Sequence, residues 1–144
     1  MAKRRVKIDD LGEAIQEILQ DYGDNVSEGT KKAVLKVADI AKQETKAASP
    51  FKRGKPSYHN RHYRAGWAVR EDIFDRFRSD AIVHNRTDAQ RTHLLEKGHD
   101  VKNQKGGGPV WGHAPGHPHI GPAEQHAIKN LKEAVRKVAE GRTN

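Results

Sequence analysis

The chain has 144 residues, enough for one domain, and its 34% hydrophobic content with a mean hydropathy of −0.95 implies a lean core. Aromatics at 6% exclude a large aromatic-lined pocket, and the lack of cysteine excludes disulfides and thiolate metal sites and fits a reducing cytoplasm. A net charge of +8 favours encounters with polyanions. Glu and Asp are nevertheless interleaved along most of the chain, which points to a solvated, mixed-sign surface rather than a dedicated nucleic-acid groove.

Residues 1–7 are basic with no apolar segment behind them, so they are expected as a disordered arm rather than a secretory signal. Residues 8–141 are expected as a single domain. The stripe Ile8, Leu11, Ile15, Ile18, Leu19 and Tyr22 has the three-and-four spacing of an amphipathic helix, with Gly23 as its stop. Asn25 or Ser27 can cap a second helix that carries Val26, Ala33, Val34, Val37, Ile40, Ala41 and Ala48. Pro50 ends it by pushing the preceding residue out of the α region. The pair forms either a helical hairpin or a kinked long helix.

Phe51–His62, dense in Lys, Arg, Gly, Pro and His, reads as an exposed loop. Segments 65–70, 73–77 and 79–85 hold the aromatic and β-branched residues of short antiparallel strands. Thr87–Gly98 contains a short helix through Leu94 and Leu95, stopped by Gly98. Lys102–Gly108 reads as a flexible loop with three consecutive glycines, and Val110–His113 as a returning strand. Pro122 marks the start of a last helix, with Ala123, Ala127, Leu131, Ala134, Val135 and Val138 on its apolar face and Gly141 beyond its end. The fold class that follows is α+β: an N-terminal helical pair, a small mostly antiparallel sheet and a C-terminal helix packed on it. Leu94, Leu95, Ile120, Leu131 and Val135 are the expected core.

Nine histidines are the loudest chemical signal, and His113, His117 and His119 fall within one short segment. Three imidazoles in a loop can converge on zinc or nickel, but no helical pair of ligands with a Glu base is present, and Glu124 and His126 follow at no recognised spacing. Local hydrogen bonding is the better account. On the 79–85 strand, Asp80 and His84 share a face while Asn85 points away, so a His-metal nuclease site is not completed. Lys105-Gly-Gly-Gly-Pro109 lacks the Lys-Ser/Thr ending of a phosphate loop. Trp67 and Trp111 are assigned to packing, in the core or at a subunit boundary.

Two segments carry a resemblance. Thr92-His-Leu-Leu-Glu-Lys-Gly-His99, a Gly-rich loop, Val110, and then Pro118-His-Ile-Gly-Pro-Ala123 before an amphipathic helix together resemble the C-terminal half of a bacteriophage tail-component family. That family is typified by the gene-ten product of a lambda-like coliphage. Upstream, Tyr63-Arg-Ala-Gly-Trp67 is similar to a further element of the family, with Lys52-Arg-Gly54 standing where Thr-Gly is usual. The resemblance implies that Gly66, Trp67, Leu94, Leu95, Glu96, Gly98, His99, Val110, Pro118, His119, Ile120, Pro122 and Ala123 are the motif residues. Within them, Gly98 permits a left-handed stop, Pro118 and Pro122 fix the path into the last helix, and His119 can donate to backbone at that turn without any metal.

The role implied is structural, at the head–tail junction of a virion assembled in the host cytoplasm, with no catalysis and no cofactor. The implied partners are further copies in a ring, head-closure or connector proteins, and tail-terminator or tail-tube proteins, with non-specific contact to passing DNA and none to a membrane. Lys52, Arg53, Lys55, Lys102 and Lys105 are the expected interface residues in the basic loops. The rival readings are a basic DNA-binding accessory protein, whose affinity would fall steeply with salt, and a His-dependent metalloenzyme or nuclease, which would purify with stoichiometric metal.

Overall fold

The computed structural model describes residues 7–50, 58–73, 78–102 and 109–142. The fold is α+β. A 3-10 turn over Ile8–Asp10 leads into α1 (Leu11–Ala48), followed by α2 (Tyr58–Ala65) and the strands β1 (Trp67–Ile73) and β2 (Ser79–Asn85). Then come α3 (Ala89–Lys97), β3 (Gly98–Lys102), β4 (Val110–Pro115) and α4 (Ile120–Ala139). The expected arm over residues 1–7 lies outside the described residues except for Lys7.

The N-terminal helical segment is one helix of 38 residues rather than two. At 1.5 Å per residue it is about 57 Å long. Gly23 does not stop it, and α4 runs back along α1 as far as Tyr22. Tyr22 donates its hydroxyl to the Ala139 carbonyl at 3.2 Å, and a Cβ added at Gly29 would lie 2.6 Å from Val138 Cγ1. Gly29 thus serves close helix–helix approach. The other end matches expectation: Ser49 adopts an extended conformation ahead of Pro50.

Two separate two-stranded antiparallel sheets replace the single small sheet. β1 pairs with β2 from Trp67 opposite Asn85 to Ile73 opposite Ser79, so the strand expected over 65–70 starts at Trp67 and runs on to the first residue of the one expected over 73–77. Residues 74–77 lie outside the described residues. β3 pairs with β4, with a register shift between Val101 and Lys102. The expected Phe51–His62 loop is corrected over residues 58–62, which are helical, while Lys52, Arg53 and Lys55 lie outside the described residues. That helix forms because Tyr63 is anchored in the core, a tertiary demand that outweighs the polar composition around it.

Both glycine stops in the C-terminal half hold. Gly98 has φ 81° and follows α3 directly. Gly141 has φ 68°, with Gly141 N–H donating to the Val138 carbonyl and Arg142 N–H to the Lys137 carbonyl. This is the paired 5→2 and 6→1 pattern of a Schellman cap. The core is built of small residues on α1 (Ala33, Val37, Ala38, Ala41) with Tyr63, Trp67 and Ala123. Leu94, Leu95, Ile120, Leu131 and Val135 are half-buried around it rather than at its centre.

Candidate functional site

Among the described residues the most enclosed side chain is His119, with 0% exposure, at the mouth of α4. As the residue before a helix, it leaves the first N–H groups of α4 in need of acceptors. Glu96, at the end of α3, supplies them. Its Oε2 accepts from the backbone N–H of His119 at 2.8 Å and of Ile120 at 3.0 Å, and its Oε1 accepts from Gly121 N–H at 2.9 Å. A carboxylate from one helix therefore caps another, where the positive end of the helix dipole also favours negative charge. Burial raises the Glu96 pKa, but the three backbone hydrogen bonds outweigh it and hold the carboxyl below its ordinary value.

The His119 ring is fixed on both nitrogens. Nδ1 faces the His117 carbonyl at 2.6 Å and Glu96 Oε2 at 3.0 Å, both acceptors, which places the proton on Nδ1. Nε2 is then left to accept from the Tyr63 hydroxyl at 2.6 Å. Tyr63, Trp67 and His119 meet edge to face, with ring centroids 5.6 to 6.0 Å apart. Trp67 Nε1 donates to Ser49 Oγ at 2.8 Å, and Ser49 Oγ donates to the Thr45 carbonyl at 2.7 Å, tying the cluster to the end of α1.

Asn85 completes the wall. Its Nδ2 donates to the Tyr63 carbonyl at 2.7 Å, and its Oδ1 accepts from the backbone N–H groups of Thr87 and Asp88. A Cβ on Gly66 would sit 2.1 Å from Thr87 Oγ1, so only glycine fits beside this turn. Gly98 and Gly116 make a second close approach: a Cβ on Gly98 would lie 2.5 Å from the Ala114 carbonyl oxygen, and one on Gly116 would lie 2.6 Å from that of Glu96.

The Glu96–His119–Tyr63 order is that of an acid–imidazole–hydroxyl relay. Its surroundings set what it can do. Tyr63 is 3% exposed, and burial pushes its phenol up to about 12 despite a hydrogen bond with Thr92, with the charges of Glu96 and Asp88 adding to the rise. The hydroxyl is therefore held protonated as a donor to His119, and the chain of contacts locks α1, α2, α3 and the start of α4 together.

The motif residues divide accordingly. Gly66, Trp67, Glu96, Gly98, His119, Ile120 and Ala123 gather at or beside this lock, with Leu94 and Leu95 half-buried nearby. Pro118 and Pro122 are exposed along the entry to α4, and His99 and Val110 are exposed on the β3–β4 ribbon, as is Lys102. Lys105 lies outside the described residues. Among the described residues, no group of three or more His, Cys, Asp or Glu side chains is placed to hold a metal. His113 instead pairs with Asp100 at 3.0 Å and His117 Nε2 contacts the Ala48 carbonyl at 3.0 Å.

Sequence reasoning passed over Ser49, Thr45 and Asn85 as members of the cluster, since their contacts span 18 or more residues or run back along a helix. The one available signal was a Tyr and a Trp four residues apart ahead of a strand. A shallow groove of about 350 Å³ runs along α1 between Tyr22 and Val34, away from the lock. Among the described residues no helix is long and apolar enough to cross a membrane. Comparison with protein-family models, curated proteins and solved structures finds no match to this chain.

Proposed function

We propose that the protein is a structural component of a bacteriophage head–tail junction, acting by assembly and docking rather than catalysis. The reading rests on the two motif segments described above, Thr92–His99 and Pro118–Ala123. What supports a structural role for them is the Glu96 cap: the acid of the first segment accepts three backbone N–H groups of the second. Residues that share a motif here share a joint. The imidazole that invites a catalytic or metal reading is spent inside that joint, hydrogen-bonded on both nitrogens.

The test is complementation of a phage lacking the gene, with heads, tails and joined particles counted by electron microscopy. Accumulation of free heads and free tails in its absence, reversed by the wild-type chain, is the expected result. Normal joining without the gene overturns the proposal. The double substitution Lys52→Ala with Arg53→Ala, in a well-folded protein, is expected to lower the joined yield if the basic loops dock to a partner. Tight stoichiometric zinc lost on His117→Ala would instead favour the metalloenzyme.

A further inference from the structure

The first half of the long N-terminal helical segment carries its charge in one line. Asp10, Glu13, Glu17, Asp21, Asp24 and Glu28 follow one another at intervals of three and four, which stacks these carboxylates on a single face. Residues 8–30 contain no Lys or Arg. Glu28 is answered from further along its own helix, by Lys32 at 2.6 Å. For Glu13, Glu17 and Asp21 no Lys or Arg stands three or four positions away, and like charges at that spacing repel.

This face is nevertheless covered. Ala14 lies in the same line, four residues after Asp10 and three before Glu17, and is 6% exposed. Its neighbours on the apolar side, Leu11 and Ile18, are 50% and 58% exposed, so the cover comes from the acidic side. Glu17 itself takes part in a hydrogen-bonding or electrostatic interaction. α4 does not reach this far, because its last turn meets Tyr22, about 12 Å of helix from Ala14. The β1–β2 pair starts beside Ser49, through Trp67, and its seven residues span about 23 Å. The links 51–57 and 103–108 leave from elements rooted near the Ala48 carbonyl, about 51 Å of helix from Ala14. Thr143 and Asn144, beyond α4, carry no cation.

The N-terminal segment has both the charge and the reach. Residues 1–6 lie outside the described residues and precede Lys7, whose backbone is extended (φ −69°, ψ 153°). They hold Lys3, Arg4 and Arg5. Four extended residues from Lys7 to Lys3 span about 13 Å, and Ile8 to Glu17 is also about 13 Å of helix. We propose that this segment folds back along the acidic line and lies over Ala14 as a strap, with Lys3, Arg4 and Arg5 facing Glu13 and Glu17. The strap neutralises a self-repelling helix face and leaves the apolar residues Leu11, Ile15 and Ile18 open beside it. Held by charge, it is released by salt. The strap does not rest on the head–tail reading.

The chain has no cysteine, so Ala2→Cys gives the full-length protein a single attachment point for a nitroxide spin label. The amide NMR signals of Glu17–Asp24 are compared with the label oxidised and reduced. At low salt these signals are expected to be lost in the oxidised sample, and at about 1 M salt, where the Debye length is about 3 Å, to return. Reversing the segment with Lys3→Glu/Arg4→Glu/Arg5→Glu is expected to restore them at low salt. Adding Glu13→Lys/Glu17→Lys to that variant is expected to remove them again, with circular dichroism unchanged throughout.

Signals that persist in the wild-type background at low salt overturn the strap, as do signals that stay lost after the segment is reversed or that fail to vanish in the double reversal. Mixing spin-labelled chains with isotope-enriched unlabelled ones distinguishes the remaining occupant. Signal loss in that mixture assigns the cations to a second copy and overturns folding back within one chain, whereas full signals there support it. Head–tail complementation is unaffected by either result.

Discussion

Glu96 joins α3 to the start of α4, since one carboxylate satisfies three backbone donors and faces an enclosed imidazole. Glu96→Ala is expected to cost about 2–3 kcal/mol, because a helix cap and a buried hydrogen-bonded group are lost together. Its depressed folded-state pKa means that the stabilisation is complete above the unfolded carboxylate value of about 4.3 and is lost as pH falls through the folded value. Chemical denaturation of wild type and Glu96→Gln between neutral and acid pH should therefore show their stability difference shrinking as the pH drops. A constant difference would assign the loss to shape rather than charge. Tyr63→Phe tests the other side of the ring. It removes the donor to His119 Nε2 and leaves that nitrogen enclosed without a partner, at an expected cost of about 1–3 kcal/mol. An unchanged melting curve would mean that water takes the place of the hydroxyl.

Helix α1 shows how an element can be right in kind and wrong in extent when read from local signals. Its apolar stripe was visible, but the turn at Gly23 was inferred from a residue that merely tolerates a stop. In the structure nothing lies within 4 Å of a Cβ added at Gly23, and the helix runs through it. Gly23→Ala should accordingly stabilise the protein by about 0.5–1 kcal/mol through backbone entropy alone. At Gly29 the same exchange meets Val138 Cγ1 at 2.6 Å, and overpacking of about 1–3 kcal/mol opposes the helix gain. Thermal denaturation of the two variants should move in opposite directions. If Gly23→Ala destabilises, the helix is broken there after all. The stops at Gly98 and Gly141 were legible because each follows a short periodic run with positive φ available only to glycine at little cost. α2 was not legible, since Tyr58–Ala65 has a polar, His- and Arg-rich composition and is ordered by what Tyr63 meets from other elements.

Across the described residues, apolar side chains are buried in the body and exposed at Ile8, Leu11, Ile15, Ile18, Leu19 and Tyr22 on the N-terminal arm of α1, where Ala14 alone is buried, and at Val101, Val110 and Trp111 on the β3–β4 ribbon. The body's closure depends on α4 lying along α1, so substitutions on the overhanging arm should leave its stability alone. Ile15→Ser with Leu19→Ser is expected to change unfolding free energy by no more than about 0.5 kcal/mol each while raising solubility. A large loss of stability would show that the arm folds against the body. The charge pattern belongs to this scale too. The sequence reads as mixed-sign along most of its length, yet the first 23 residues from Ile8 are purely acidic among their charged groups. Only the structure makes this matter, by placing that stretch on one continuous helical segment.

Local sequence signals by themselves determined the α+β class, the α3 and α4 helices, the β1–β2 strand pair and the stops at Gly98 and Gly141, because each depends on residues within a few positions of one another. The motif residues of the C-terminal half were also visible as a pattern. Tertiary structure alone decided that Glu96 and His119, 23 residues apart, form one joint, and that Ser49 and Asn85 belong to it. It likewise decided which apolar stripe is core and which is surface, since Ile8–Tyr22 and Ala33–Ala41 have similar spacing, and α1 is packed by α4 and by the β1–β2 pair. A repeat in sequence specifies a face. What covers that face depends on where the partner helix ends.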